Sequence, residues 1–275
     1  LIINIVLDPV LIFGIGPFPK LDVAGAAIAT VFAQAVVTVV FLLSVSKEPD
    51  IFMNLHFFTK PQLSVLKELI RIGLPSSVQS MIFTGISMII ARIVAGFGDS
   101  AVAVQKVGSQ IESISWMTSD GFAAAVNSFI AQNFGAGNAA RAKKGSRCSM
   151  VVVLLWGVFC TIVLIVFPAP IFRIFIPETD VLPMGVAYLQ ILGVSQLFMC
   201  MEITTAGAFS GLGRTLPPSV VSITLTTARI PLALLLISTP LGLNGIWWSI
   251  TISSIFKGLV LTAAFKKMAF RPAAQ

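Results

Sequence analysis

The chain consists of long hydrophobic segments separated by short polar turns. Several segments continue for about 20 residues without a fixed charge, which is the length that an α-helix needs to cross the hydrocarbon core of a membrane. An outer-membrane barrel would instead show segments of about 10 residues with alternating polarity. The pattern therefore predicts an all-α integral membrane protein.

Glycine, proline and charged turns bound the predicted spans. The prolines of Leu216-Pro217-Pro218, for example, suit the first turn of a helix. The interval from Pro168 to Pro183 is predicted to be a break between two spans. We predict one partial span that ends near Gly14, followed by seven complete spans at 23–46, 75–97, 103–134, 146–169, 183–211, 217–239 and 243–265.

The longest polar interruption, residues 47–74, separates two predicted helical lobes. Residues 1–46 hold the last two transmembrane helices of an N-lobe, and residues 75–275 hold a C-lobe of six transmembrane helices. The interruption is predicted to be a cytoplasmic linker that contains an amphipathic helix compatible with the membrane surface. The apolar positions of this helix are Leu63, Leu66, Leu69 and Ile70.

Composition supports the membrane prediction, and charge adds an orientation. The chain is 56% hydrophobic and 11% charged, with a net charge of +7, which is too apolar for a soluble domain. The basic residues concentrate in alternate loops, so we expect membrane orientation and no nucleic-acid partner. The positive-inside rule then places the basic loops and the C-terminus in the cytoplasm. We expect a multi-pass protein of the plasma membrane, which is the inner membrane of a bacterium. The basic loops hold Lys47, Lys60, Lys67, Arg71, Arg141, Lys143, Lys144, Arg147, Arg214, Lys266, Lys267 and Arg271.

Asp8 is the strongest candidate for a functional charge inside the membrane, where a charged side chain costs about 2.5 to 3.5 kcal/mol. Asn4 lies one helical turn before it, so a carboxylate and an amide oxygen can converge on one point. Pro9 has no N–H, which leaves a carbonyl one turn earlier free to act as a further ligand. These oxygens suit a small cation, and the carboxylate could take up a proton instead. The alternative is that Asp8 only orders a break in the helix.

Three further acids lie within predicted spans. Glu202 precedes two threonines, so it is expected either to share a cation with their hydroxyls or to make a structural hydrogen bond between helices. Glu112 and Asp120 lie along one polar helix face, which predicts the wall of a water-lined cavity, with direct substrate contact as the alternative. The buried bases Arg229 and Lys257 could pair with an acid, but the sequence names no partner.

Five short motifs follow one another along almost the whole chain. In residue type and order they resemble the multidrug and toxic compound extrusion (MATE) family. The motifs are Asn4-Ile5-Val6-Leu7-Asp8-Pro9, Gly25-Ala26-Ala27-Ile28-Ala29-Thr30, Ile72-Gly73-Leu74-Pro75, Gln132-Asn133-Phe134-Gly135-Ala136-Gly137 and Gly211-Leu212-Gly213-Arg214-Thr215-Leu216-Pro217.

The resemblance implies a MATE-like bundle, of which this chain would be a fragment with a partial helix five, helix six and the complete C-lobe. Family members export organic cations in exchange for Na⁺ or H⁺, need no other cofactor and are expected to act as monomers within membrane lipid. Asn4, Asp8 and Thr30 match three positions of the cation site in the N-lobe. The acid that some members carry on helix seven is absent here, which leaves Glu202 as the acidic candidate in the C-lobe.

The predicted function is therefore a secondary antiporter that works by alternating access. The nearest alternative is a lipid-linked oligosaccharide flippase of the same superfamily, for which Arg92, Arg229 and Lys257 would line a cationic cavity. An enzyme is not expected, because the single histidine, His56, lies in the linker and no metal or nucleophile motif is present. A passive channel is a third alternative, which only flux measurements would separate.

Overall fold

The computed structural model describes residues 2–17, 19–45, 62–176 and 178–268. All regular elements within these ranges are α-helices, which confirms the predicted fold class. The helices are α1 (Ile2–Phe13), α2 (Asp22–Val45), α3 (Leu63–Ala95), α4 (Asp99–Gly135), α5 (Ala139–Val166), α6 (Pro168–Phe175), α7 (Leu182–Gly193), α8 (Gln196–Gly211), α9 (Leu216–Thr227), α10 (Arg229–Ile237) and α11 (Leu243–Met268).

Five elements within the described ranges are long and apolar enough to cross a membrane: α2, α3, α5, α9 together with α10, and α11. The pair α7 and α8 would make a sixth span with a bend of 47°. α4 has 37 residues, or about 55 Å at 1.5 Å per residue, so it is also long enough, although its charged side chains lower its hydropathy. The chain is therefore a multi-pass membrane protein, as predicted.

Several predicted boundaries differ from the structure, and the spans predicted at 183–211 and 217–239 are each divided into two helices, α7 with α8 and α9 with α10. α3 begins at Leu63 and continues through Pro75, so the amphipathic run is the first part of a long helix, not a separate surface helix. Proline removes one hydrogen bond without ending the helix here, and the Thr215 hydroxyl donates a bond of 2.7 Å to the nearby carbonyl of Ile72. The predicted break at 168–183 contains the short helix α6. Residues 47–61 of the predicted linker lie outside the described residues.

The chain forms two compact units, Leu1–Gln62 and Leu63–Gln275. In the first unit, α1 and α2 pack closely because Gly25 has no side chain. A Cβ atom at Gly25 would overlap the backbone of Leu11, whose carbonyl also accepts a 3.0 Å hydrogen bond from the N–H of Leu21. Ala29 continues this small-residue surface along α2 and is fully buried. The first unit thus holds α1 against α2 through backbone contact.

In the second unit, α8 packs against α4, α5 and α11. Glycines allow this close approach on each side, because an added Cβ atom would meet the backbone of the neighbouring helix. At Gly207, for example, a Cβ atom would lie 2.6 Å from the carbonyl oxygen of Ala123. The other glycines of this kind are Gly157, Gly211 and Gly258. This packing fixes the side chains that α8 presents to its neighbours.

Candidate functional site

Asn4 and Asp8 form the pair that their spacing on α1 predicted. The Asn4 side-chain amide donates a hydrogen bond of 2.9 Å to Oδ2 of Asp8, and both side chains are partly buried. The other carboxylate oxygen, Oδ1, is buried and has no hydrogen-bond partner among the described residues. Pro9 follows within the same helix and offers no N–H to the carbonyl of Ile5. Asp8 therefore keeps one buried oxygen available for a proton or a cation.

Thr30 lies on the neighbouring helix of the same unit. Its hydroxyl donates a hydrogen bond of 2.9 Å to the carbonyl of Ala26, which leaves the lone pairs of the hydroxyl oxygen available as acceptors. No hydrogen bond within the described part of the chain joins Thr30 to Asn4 or Asp8. The convergence of these three residues on one ion therefore stays a prediction.

Glu202 is paired with a base that the sequence did not assign to it. Nζ of Lys257, on α11, lies 2.9 Å from Oε2 of Glu202, and both side chains are buried. The Ser222 hydroxyl, on α9, donates a hydrogen bond of 3.3 Å to the other carboxylate oxygen. The carboxylate thus joins three helices, and an ammonium group of the chain itself takes the place of a bound cation.

Arg229 is the second buried base of this unit, and serine hydroxyls bind its guanidinium. Its Nε donates a hydrogen bond of 2.6 Å to Ser253, and Nη2 donates one of 3.1 Å to Ser254. The guanidinium carbon also lies 5.9 Å from the centre of the Phe83 ring. Arg229 interacts electrostatically with both Glu202 and Glu112, so the two buried acids and the two buried bases form one charge cluster.

Glu112 lies inside the helix packing, with only 8% of its surface exposed, and does not line the cleft described below. Its Oε2 accepts a hydrogen bond of 3.1 Å from the side-chain amide of Gln196. Its Oε1 has no partner within the described part of the chain, and the same is true of Oε1 of Gln196. The sequence singled out Glu112 but not Gln196, because a glutamine within an apolar segment carries no charge to mark it.

Asp120 and Glu202 line a cleft of about 320 Å³ between α3, α4 and α8. Asp120 is exposed, whereas Glu202 is already bound to Lys257, so Asp120 supplies the net negative charge of the cleft. The uncharged polar side chains of the cleft are Gln79, Asn127 and Ser210. The described cleft contains no lysine or arginine. The described residues also contain no group of three or more His, Cys, Asp or Glu side chains that could hold a metal ion.

Comparison with known proteins identifies the family. The family model MatE matches residues 75–235, which is more than half of the chain. This chain belongs to the MATE family. The match covers α4 to α9 and most of α3 and α10, which hold the cleft and most of the buried charge cluster. Members of this family are transporters, not enzymes, as predicted.

Curated relatives carry transport names. The chain is 30% identical over 257 residues to the probable multidrug resistance protein NorM of Thermotoga maritima, covering 93% of this chain and 55% of the relative. It is also 30% identical over 261 residues to the FAD transporter of Shewanella oneidensis, covering 94% of this chain and 57% of the relative. The chain thus spans little more than half the length of these relatives.

Solved structures show the same fold. A MATE protein in a straight conformation superimposes with a TM-score of 0.85 at 21% identity, covering 97% of this chain and 60% of that chain. A mutant of the Vibrio cholerae MATE transporter VcmN superimposes with a TM-score of 0.81 at 23% identity, covering 97% of this chain and 59% of that chain. The helical arrangement of this chain is therefore that of MATE transporters.

Proposed function

We propose that the protein exports organic cations in exchange for Na⁺ or H⁺, and that Asp8 is the coupling carboxylate. The observation that carries this proposal is the buried Oδ1 of Asp8, which has no partner among the described residues, beside the hydrogen bond that Oδ2 accepts from Asn4. A buried carboxylate oxygen without a donor is costly, and binding a proton or a small cation removes that cost. Asn4 holds the carboxylate in place through Oδ2, which leaves Oδ1 as the atom that gains or loses the ion.

Coupling requires that the ion favour one conformation of the transporter over the other. Binding at Asp8 would do so because Pro9 already removes a backbone hydrogen bond from the same helix turn, which makes α1 easier to bend at that point. The ion thus binds at the helix turn that lacks one backbone hydrogen bond. Thr30 would supply a further oxygen ligand from α2, as the family resemblance implies.

A cationic substrate is favoured by the charge of the cleft between α3, α4 and α8. Asp120 provides a carboxylate at its surface, and the described lining holds no base that would bind a phosphate group. Uncharged amide and hydroxyl groups surround this charge, which suits substrates of varied shape. One of the relatives named above is a probable multidrug resistance protein, which supports a drug substrate.

The flippase alternative requires a cavity lined by basic side chains. Arg229 and Lys257 instead bind Ser253, Ser254 and Glu202 inside the packed unit, and neither base lines the described cleft. This arrangement disfavours the flippase. We further propose that the protein lies in the plasma membrane with its C-terminus in the cytoplasm, since the basic loops all lie on one side of the predicted spans.

The experiment uses a full-length protein, because this chain spans little more than half the length of its relatives. Purified protein in liposomes is given a sodium gradient or a proton gradient separately, and ethidium transport is followed by fluorescence. Transport driven by one of these gradients, and abolished when that gradient is collapsed, is the expected result. Ethidium flux that follows only its own concentration gradient would identify a passive channel and overturn the proposal.

A further inference from the structure

Glu112 is a buried acid that the coupling scheme above does not use, and its surroundings differ from those of Glu202. Glu202 is neutralised at 2.9 Å by Lys257, whereas Glu112 makes no ion pair with a described residue. It accepts a hydrogen bond from a neutral amide, that of Gln196, and the neutral hydroxyl of Tyr188 is a further donor within hydrogen-bonding reach. An isolated carboxylate in a low-dielectric interior is strongly unfavourable, and a neutral carboxylic acid is far less so.

Oε1 of Glu112 and Oε1 of Gln196 each lack a donor among the described residues, and together they indicate which protonation state of Glu112 fits this site. The pair has one observed hydrogen bond, from Nε2 of Gln196 to Oε2 of Glu112, and each partner has one further oxygen without a donor. Both of these atoms are acceptors, so they cannot bond to each other while Glu112 is ionised. A proton on Oε1 of Glu112 supplies the missing donor. The acid and the amide can then form two hydrogen bonds, as the donor of one and the acceptor of the other.

This pair is situated at the break between α7 and α8. Gln196 is the first residue of α8, and its amide also donates a hydrogen bond of 3.3 Å to the carbonyl of Leu192 in the last turn of α7. The same carbonyl accepts bonds from the N–H and the hydroxyl of Ser195. The two helices meet here at 47°. Glu112 thus contacts the residue that bridges the bend.

The titratable and charged groups around Glu112 come from several helices. The hydroxyl of Tyr188, on α7, lies within hydrogen-bonding reach of Glu112, and Arg229, on α10, interacts with it electrostatically. Arg229 is bound to serine hydroxyls and also interacts with Glu202, which Lys257 neutralises. The side chain that α8 directs at Glu112 is the neutral Gln196. Cys160, on α5, interacts with Ser115 one turn further along α4 rather than with Glu112.

We propose that Glu112 is a second proton-binding residue of the protein, and that its proton stabilises the bend between α7 and α8 through the acid–amide pair with Gln196. As a step of the transport cycle this inference rests on the proposed function. Loss of the proton leaves a carboxylate that is stabilised by the amide of Gln196, the hydroxyl of Tyr188 and the charge of Arg229. Tyr188 on one side of the bend and Gln196 on the other then experience a full negative charge, so the balance between bent and straight forms changes.

Infrared difference spectroscopy of the full-length protein in lipid tests this inference without relying on transport. A protonated carboxylic acid has a C=O stretching band that a carboxylate lacks, and the band is recorded as the pH is raised. Glu112→Gln keeps the shape and the hydrogen bonds of the neutral acid, and it is expected to remove one titrating band. Asp99→Asn, at the exposed start of the same helix, is the matched control and is expected to leave that band in place. An unchanged spectrum in Glu112→Gln overturns the proposal.

Two further arms separate this inference from the proposed function. Gln196→Leu removes the amide but keeps the acid, so the Glu112 band is expected to persist at a higher frequency; an unshifted band overturns the acid–amide pairing. Ethidium is expected to change the amplitude of the Glu112 band in the unmodified protein. If the band titrates but ethidium leaves it unchanged at every pH, Glu112 has no part in the cycle and this inference fails. The proposed function would stand in that case, because Asp8 is tested independently by gradient-driven transport.

Discussion

Lys257 and Glu202 form a buried ion pair that joins α11 to α8, with 2.9 Å between Nζ and Oε2. Ser222 completes the coordination of the carboxylate from α9. Glu202 is therefore a structural acid in this conformation, because the ammonium of Lys257 already occupies the position that a free cation would need. Asp8, unlike Glu202, retains a carboxylate oxygen without a partner among the described residues, which favours Asp8 over Glu202 as the coupling carboxylate.

Breaking this pair from one side should destabilise the second unit strongly. Lys257→Gln leaves the Glu202 carboxylate buried without its charge partner, which typically costs about 3 to 5 kcal/mol. The double variant Glu202→Gln, Lys257→Gln removes both charges, so its loss of stability should be clearly smaller than that of Lys257→Gln alone. Thermal unfolding in detergent measures the stability of the unmodified protein, of Lys257→Gln and of the double variant.

The exposed ion pair between Lys20 and Asp22, with 3.2 Å between its charged atoms, provides the control. Lys20→Gln should change stability by less than about 1 kcal/mol, because water screens an exposed pair. If Lys257→Gln were no more destabilising than Lys20→Gln, the buried pair would have no structural role.

The close packing of α8 against α4 should depend on the absence of a side chain at Gly207. Gly207→Ala places a Cβ atom 2.6 Å from the carbonyl oxygen of Ala123, so the helices must separate, and overpacking of this kind costs about 1 to 3 kcal/mol. Gly121→Ala on α4 is the matched control, because an added Cβ atom there meets nothing within 4 Å. It should leave the melting temperature unchanged or raise it slightly, since alanine favours helix.

The melting temperatures of the two glycine variants can be compared in one detergent-based assay. The expected result is a decrease of several degrees for Gly207→Ala and no decrease for Gly121→Ala. Equal melting temperatures for both variants would show that α8 and α4 do not approach each other through these glycines.

Local spacing and hydrophobicity made part of this structure predictable. The Asn4–Asp8 hydrogen bond could be predicted because four residues along a helix place two side chains on one face. The partner of Glu202 could not, because Lys257 is distant along the chain and only the packing of α8 against α11 brings them together. The sequence offers one indication of this pair. Lys257, which shares a helix face with Ser253, lies at a depth in its predicted span similar to the depth of Glu202 in another predicted span.

Helix boundaries near proline were the other weak point of the prediction. Proline removes an N–H donor, but it ends a helix only when the neighbouring residues prefer another conformation. At Pro75 both flanking segments remain helical, so α3 continues. At Pro168 the ring suits the first turn of a new short helix, α6, within an interval that the turn signals predicted to be a break.

The cleft between α3, α4 and α8 should discriminate substrates by charge through Asp120. Asp120→Asn removes the net negative charge of the described lining while keeping its shape. The affinity for a cationic drug should fall by about fivefold to tenfold, which corresponds to one partly solvated charge interaction. The affinity for an uncharged drug of similar size should stay the same. Equilibrium binding of ethidium and of a neutral dye to the full-length protein measures both.

Asp99→Asn is the control for this comparison, because Asp99 is exposed at the start of α4 and does not line the cleft. It should bind both dyes as the unmodified protein does. Parallel losses of affinity for cationic and neutral dyes in Asp120→Asn would contradict electrostatic recognition and would indicate a general distortion of the cleft.

The central claim is that Asp8 couples ion movement to drug movement. The most direct test compares two assays on full-length Asp8→Asn protein in liposomes. Counterflow exchanges labelled for unlabelled drug and needs no ion gradient, whereas gradient-driven accumulation requires coupling. Asp22→Asn, an exposed carboxylate of the same unit, is the control and should perform normally in both assays.

For Asp8→Asn we predict that counterflow is retained and that accumulation driven by the ion gradient is lost, because the amide can neither release a proton nor carry the charge that binds sodium. Gradient-driven accumulation at the rate of the unmodified protein would contradict the assignment of Asp8 as the coupling residue.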